Sequence, residues 1–474
     1  MALANDLSTL DPHFSSPTGA STIWQVYDPL VSYDEQLQTQ PELAESWEQS
    51  SDARQIKLNL RKGVQFHSGR EFTSDDVRYN LQRLVDPKNV ATTGKLAPQA
   101  KWWTSIETPD KYTVILGSDQ PRPGVFDFLV YFNMADRDTM EGPDSRTRAV
   151  GTGPFTFVEY VQGDHLTLLK NKNYWRTDEP HLDGVQVTIL RDQQSMIAQL
   201  EGGALELADA PTLQDALRLK ADPKYQVILN YNRGQFNYVV ANTTFPPLDN
   251  KQVRQALNYA IDRKRFTDTV LMGLGSGPQD LPWTSFSPAY DQPKNALYAF
   301  DLEKAKSLLS AAGVSGLQLD LEFVPSNEAT KFAQIYQADL ASIGVNAIIK
   351  PTEQAIYTEH QVKVSYNGLM YGLGSQAHLY EAATGIAGTR SFNFDNNSAG
   401  FKSPDYTQLF NTASTEPDAA KRKQLYAQLN DYILDQSFTM PLSLTPTIGI
   451  TTARVHGLTW DMQPRYLLRS TWLS

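Results

Sequence analysis

A chain of 474 residues is too long for one ordinary hydrophobic core and implies two or three domains. Its 41% hydrophobic and 20% charged residues fit a globular protein, and no apolar run approaches the roughly 18 residues that cross a bilayer, which argues against an integral membrane protein. A formal net charge of −11 without any Lys/Arg-rich tract opposes nucleic-acid binding, and the lack of cysteine removes disulfides, thiolate metal sites and thiol nucleophiles together.

The first residues, "MALANDLSTLDPHF", contain no basic region followed by an apolar one. The chain is therefore expected to begin inside a strand, behind a lone Met that replaces a removed export signal. Further on, in "RQIKLNLRKG", Ile56, Leu58 and Leu60 alternate with polar residues, the pattern of a half-buried strand. Gly63 permits a turn, Val64 and Phe66 face one way in a second short strand, and "HSGRE" turns again at Gly69.

A helix is predicted to follow. Thr73 stands at its N-cap, Asp76 completes a capping-box pair three residues on, and Phe72 can pack on Val77 as a hydrophobic staple. Asp75 and Asp76 are adjacent acids, which raises the question of a catalytic pair. Neighbouring helical residues project about 100° apart, so the two cannot converge on one proton, and the helix dipole explains them as first-turn stabilisers. His67 is expected to be a turn residue bonded to backbone.

In the second half, "KQVRQALNYAIDRKRF" places Val253, Ala256, Leu257, Ala260 and Ile261 on one helical stripe. Asp301 caps "LEKAKSLLSAAG", whose stripe of Leu302, Ala305, Leu308, Leu309 and Ala312 ends at Gly313. Leu317, Leu319, Leu321 and Phe323 alternate as a strand, Phe332, Ile335, Ala338 and Leu340 mark a helix that stops near Gly344, and Val345, Ala347 and Ile349 alternate again. Strand, helix and strand in about 35 residues predict a parallel βαβ unit with a right-handed crossover. Pro417 suits the first turn of a helix carrying Leu425, Leu429 and Ile433. The fold class is α/β.

The block "LRKGVQFHSGREFTSDDVRYNLQRL" resembles the most recognisable stretch of the extracytoplasmic solute-binding proteins of ABC importers, in the family with oligopeptide-, dipeptide- and nickel-binding members (family 5). Other blocks resemble the family in family order: "LDPHF", "YDPLVSYDEQLQTQPELAESW", "GTGPFTFVEYVQGDHLTLLKNKNYW", "AQLEGGALELA", "VRQALNYAIDRKRF" and "DLEKAKSLLSAAG". The resemblance implies a two-lobed periplasmic-binding-protein-like fold of type II, in the large cluster with an extra subdomain, its lobes joined by hinge segments. Residues 1–29, 152–238 and 447–474 would form the core of lobe I, 30–151 a subdomain inserted into it, and 239–446 lobe II. Pro-rich breaks at "TTFPPLDN" and "TMPLSLTP" fall near the implied hinges.

The implied function is capture of a small polar solute, a peptide, an opine-like or a sugar-derived molecule, by lobes that close on it, and delivery to a membrane permease without any bond-making. No cofactor is expected. The protein would be monomeric and extracytoplasmic, in a periplasm or held at the surface by lipid. By alignment with the family, Phe14, Ser15 and Ser16 line the cleft, and Asn242 falls near a polar residue that peptide-binding members use on ligand backbone. Asn242 serves equally well to order the hinge turn. Trp283 lies in a Pro-rich loop, where an exposed ring would be notable.

In "YNGLMYGLGSQAHLYEAATGIAGTRSFNFDNN", peptide-binding relatives carry a Trp and an Asp that pairs with the ligand's ammonium. Here Gly372, Leu373, Gly374, Ser375 and Gln376 stand instead, with neither group, so free amines are not expected to be held in that way. The glycines at 368, 372, 374, 385 and 388 would let backbone approach a ligand. Arg390, followed by Asn393, could clamp a carboxylate or phosphate. Gln354 and Met370 complete the candidates.

Two other classes remain open. A glycoside-active enzyme would need a carboxylate pair that no motif identifies. A metal or metal-chelate carrier of the same fold would use histidines, but the seven, at 13, 67, 165, 181, 360, 378 and 456, never pair at i, i+3 or i, i+4. Only His378, beside the proposed cleft loop, is a candidate. No catalytic residue and no metal ligand is assigned.

Overall fold

The alternation at 56–60 forms the strand Gln55–Leu60 in the computed structural model, which describes residues 1–13, 22–90, 96–143, 145–374, 380–460 and 466–474. The chain divides into two units, Met1–Asn230 with Ile448–Ser474, and Tyr231–Thr447.

In the first unit, an antiparallel four-stranded sheet runs in the order Ala44–Gln49, Gln55–Leu60, Thr113–Gly117, Ser105–Asp110. Ile56, Leu58, Leu60, Val114 and Leu116 supply its buried face. The helix Ser74–Val85 packs on this layer and starts as its sequence predicts: the Thr73 N–H donates to Asp76 Oδ2 at 2.9 Å, and Phe72 and Val77 are both buried. Asp76 does more than cap, because Arg70 Nη2 donates to it at 2.6 Å and to Asp136 at 2.6 Å.

A larger sheet in the same unit runs from the end of Thr439–Thr452 through Leu207–Asp209, Ala2–Leu3, Gly184–Ile189 and His165–Lys170 to Phe155–Val161. Ala2–Leu3 is parallel to both neighbours, so the chain does enter through a strand. Leu3, Trp24, Tyr27, Phe155, Leu166, Trp460 and Tyr466 belong to its core.

In the second unit the order is Asn346–Pro351, Gln318–Phe323, Gly368–Gly374, then Tyr225–Ala241 and Thr439–Thr452. Strands Gln318–Phe323 and Asn346–Pro351 are parallel, with Leu319 opposite Ala347, and helix Asn327–Ser342 connects them as a βαβ unit should. The helix's buried face differs from its apolar stripe. Ala338 is exposed and Asp339 turns inward, where Arg265 bonds it. A charge partner outweighs the apolar pattern at that position.

Three local expectations are corrected in this unit. The helix predicted over "KQVRQALNYAIDRKRF" ends at Tyr259, and Asp262 caps a new turn by accepting from the Arg265 N–H at 2.9 Å, which carries Arg263 into the interior. Pro417 precedes the helix Ala419–Gln436, because Asp418 takes the N-cap by accepting from the Lys421 N–H at 2.9 Å. "TMPLSLTP" is not a break but the first part of the strand Thr439–Thr452.

Candidate functional site

The strand Gly368–Gly374 rises out of the second unit's core. Gly368 begins it at φ +138°, where a Cβ would also lie 2.7 Å from the Asp320 carbonyl, so both conformation and space demand glycine. Leu369, Met370 and Tyr371 are buried, whereas Leu373 is 53% exposed. Tyr371 is fixed from two sides: its hydroxyl donates to Asn237 Oδ1 at 2.7 Å and its carbonyl accepts from Tyr357 Oη at 2.9 Å. Asn237 in turn donates to Thr445 Oγ1 at 2.7 Å.

Gly372 is a glycine for an internal reason. A Cβ there would sit 2.8 Å from each of the hydroxyls of Tyr238 and Tyr357, so the protein itself fills the space that a missing side chain opens. Gly374 continues the strand opposite Phe236, which stacks with Phe392 at 5.9 Å.

Beyond residues 375–379, which lie outside the described residues together with the candidates Ser375, Gln376 and His378, the chain is anchored again. Tyr380's carbonyl accepts from Ser287 Oγ at 2.9 Å. Buried Glu381 accepts from Arg422 Nη2 at 3.0 Å, Arg422 Nε at 3.2 Å and Tyr426 Oη at 2.5 Å, and stands before the helix Ala382–Gly388. Burial first, and the neighbouring carboxylate second, push the Tyr426 phenol well above its ordinary value.

Arg390 and Asn393 share the next turn. Asn393 Oδ1 accepts from the Asp395 and Asn396 N–H groups, both at 2.9 Å, and its amide donates to the Ala387 carbonyl at 2.9 Å, so it orders the turn. Arg390 donates to the Asn396 carbonyl at 3.3 Å and, among the described residues, faces no carboxylate within ion-pair distance. Behind this turn stands Trp283. Its ring is 2% exposed, which corrects the expectation of an exposed indole: it packs near Phe392 and donates to Asn430 Oδ1 at 2.9 Å.

The other candidates lie apart from this cluster. Asn242 is buried at the opposite end of the strand. It accepts from the Thr244 N–H at 2.9 Å, donates to the Tyr366 carbonyl at 2.5 Å, and its N–H meets the Gly368 carbonyl at 2.9 Å, which is the turn-ordering role. Gln354 is exposed and donates to Thr358 Oγ1 on the next turn of its own helix at 3.1 Å. Phe14, Ser15 and Ser16 lie outside the described residues. The segment leading to them is pinned in the first unit: Tyr27 Oη donates to the Leu10 carbonyl at 3.0 Å, Trp24 Nε1 to the Pro12 carbonyl at 3.2 Å, and Arg83 binds Asp11.

Sequence reading missed Tyr371 with Asn237, and Glu381 with Arg422 and Tyr426. Their partners lie 134 and 41 to 45 residues away, beyond any local pattern. Among the described residues no group of three His, Cys, Asp or Glu side chains converges so as to hold a metal.

Residues 38–386 match the family described as bacterial extracellular solute-binding proteins, family 5. Heme-binding protein A of Haemophilus influenzae is 30% identical over 467 residues, spanning 91% of this chain and 84% of that protein. The dipeptide-binding protein of Pseudomonas aeruginosa is 27% identical over 459 residues, 88% and 83% of the two chains. Among solved structures, the periplasmic binding protein AgaA of A. tumefaciens R10 with agropinic acid aligns with a TM-score of 0.80 at 26% identity, covering 100% of this chain and 98% of that one.

Proposed function

Because the chain belongs to family 5 of the bacterial extracellular solute-binding proteins, we propose that it captures a small polar solute whose free amine, where present, is not the group recognised. The protein is the substrate-binding component of an ABC importer, and its relatives are binding proteins rather than enzymes. On this reading it works outside the cytoplasm, in a periplasm or tethered by lipid, as a monomer that presents its loaded form to the membrane permease.

One observation carries the ligand class. From His360 to Tyr380 the sequence holds neither Asp nor Glu, and the carboxylate that follows, Glu381, is already engaged by Arg422 and Tyr426. A ligand ammonium buried against the end of Gly368–Gly374 would find no carboxylate supplied by this segment, an unfavourable exchange for hydration. Backbone N–H and C=O groups at such a strand end suit amides, hydroxyls and carboxylates. A second reading, an acidic solute of the agropinic acid kind that AgaA binds, is favoured by Arg390, whose guanidinium lacks an ion-pair partner among the described residues.

Calorimetry with a panel of free and N-acetylated di- and tripeptides, neutral sugar derivatives and opine-like acids tests both. Acetylation is expected to leave affinity unchanged or to raise it, and an Arg390→Gln variant is expected to lose affinity only for the acids. Submicromolar binding to many free-amine peptides that acetylation abolishes would overturn the proposal.

A further inference from the structure

Two histidines of the first unit, far apart in sequence, are held in the same electronic state by the same arrangement. His13 Nε2 lies 2.9 Å from the Asn133 carbonyl, which can only accept, so Nε2 carries the proton. Its other nitrogen, Nδ1, lies 2.8 Å from Arg83 Nη1, which can only donate, so Nδ1 presents a lone pair. His67 repeats the pattern: Nε2 is 2.9 Å from the Gly153 carbonyl, and Nδ1 accepts from the Gly151 N–H at 3.4 Å. A second proton on either ring would point at a donor and break the bond that donor makes.

Both contacts cross the same boundary. Arg83, Asn133 and His67 belong to the part of the unit that carries the four-stranded sheet, whereas His13 follows the strand Ala2–Leu3 and Gly153 precedes Phe155–Val161 in the larger sheet. Gly151 and Gly153 are themselves wedged there. A Cβ on Gly151 would fall 2.3 Å from the Val26 carbonyl and one on Gly153 2.6 Å from the Gln25 carbonyl, so this crossing has no slack. We propose that His13 and His67 form an acid-sensitive seam between the four-stranded sheet and the larger sheet of the first unit, which opens locally when either ring is protonated while the second unit stays folded.

The charged groups around the rings are Asp11 and Arg83 at His13, and Asp136, itself held by Arg70, at His67. Burial dominates over the attraction of Asp11 and takes His13 down to about 4, and burial likewise lowers His67. The sign follows. The unfolded rings take up protons below about pH 6.5 and the folded ones resist, so the seam is fully held above that pH and weakens as pH falls toward 4.

Hydrogen exchange read by mass spectrometry, with labelling times scaled to intrinsic rates, tests the seam at about pH 7.5 and about pH 4.5. Peptides spanning 64–70, 131–136 and 150–155 are expected to lose protection roughly tenfold or more at the acid pH, while 319–323 and 369–373 do not change. A His13→Gln/His67→Gln variant offers an amide N–H and a carbonyl in place of the two ring nitrogens without titrating, and should keep its protection. Equal loss in both proteins, or none in the unaltered one, would overturn the seam. Should the variant fail to fold, assigned imidazole resonances of the unaltered protein decide: both rings must remain neutral to well below ~6.5, and a ring titrating at or above it ends the proposal.

Discussion

Arg70 and Arg422 both hold buried carboxylates, but they are wired in opposite senses. Arg70 is one cation, 32% exposed at its side chain, shared by two buried acids, Asp76 and Asp136, with the exposed Asp138 as a third at 3.8 Å, and Asp76 also receives the Thr73 N–H. Around Glu381 the acid is at the centre, with the Arg422 guanidinium and the Tyr426 hydroxyl as donors and side-chain exposures of 10% and 5% for the ion pair. The first cluster is redundant and reaches water. In the second the Arg422 guanidinium supplies the positive charge at the buried carboxylate, so removing it leaves the carboxylate's charge to a neutral hydroxyl and exposes much of its desolvation cost.

The largest effect is therefore expected from Arg422→Met. Stability should fall by roughly 3–5 kcal/mol, the range for removing one partner from a buried ion pair, measured as the urea midpoint at unchanged slope. Adding Glu381→Gln should restore a large part of it, because the uncompensated charge is gone. A single variant that costs no more than a surface substitution would break the contrast between the two clusters.

An intermediate effect is expected where the strand Gly368–Gly374 meets its two tyrosines. Gly372→Ala drives a methyl to 2.8 Å from both hydroxyls, and each belongs to a ring held by other bonds, Tyr357 to the Tyr371 carbonyl and Tyr238 to Gln361. Overpacking of this kind costs about 1–3 kcal/mol. Thermal unfolding reads it, and a change below about 0.5 kcal/mol would show that the rings shift freely.

The same contrast explains what the sequence discloses. Thr73, Asp76, Phe72 and Val77 lie within six residues, so the cap and staple of the helix Ser74–Val85 can be read directly, as can the βαβ unit at 318–351 with its two alternating runs. The family blocks likewise announce the fold. Near the candidate site, the glycines of 368–374 invite a reading as ligand-facing backbone, yet the groups that require them, Asp320, Tyr238 and Tyr357, come from three other elements. Trp283 misleads for the same reason: a Pro-rich neighbourhood suggests exposure, but Asn430 and Phe392 bury it. Glu322, which stands between the alternating Leu321 and Phe323, is wholly buried, and its partner His360 Nδ1 reaches it at 2.7 Å across 38 residues. Tertiary partners decide all of these, and periodicity carries no record of them.

The smallest effect is expected from Asp76→Asn, which sharpens the comparison from its redundant side. The amide oxygen can still accept from the Thr73 N–H, and although the amide NH2 then faces Arg70 donor to donor, the guanidinium is a third exposed and can turn away while it keeps Asp136 at 2.6 Å. What disappears is one charge-assisted bond and one unit of negative charge in the first helical turn. Discounted because the guanidinium is a third exposed to water and keeps its second buried acid, those losses together amount to about 1 kcal/mol. The loss should shrink in high salt because Arg70 is partly exposed, whereas the Arg422→Met loss should not, and urea titrations at low and high ionic strength separate the two. If Asp76→Asn proved as costly as Arg422→Met, the second carboxylate would not be sharing the guanidinium, and the redundancy ascribed to Arg70 would be wrong.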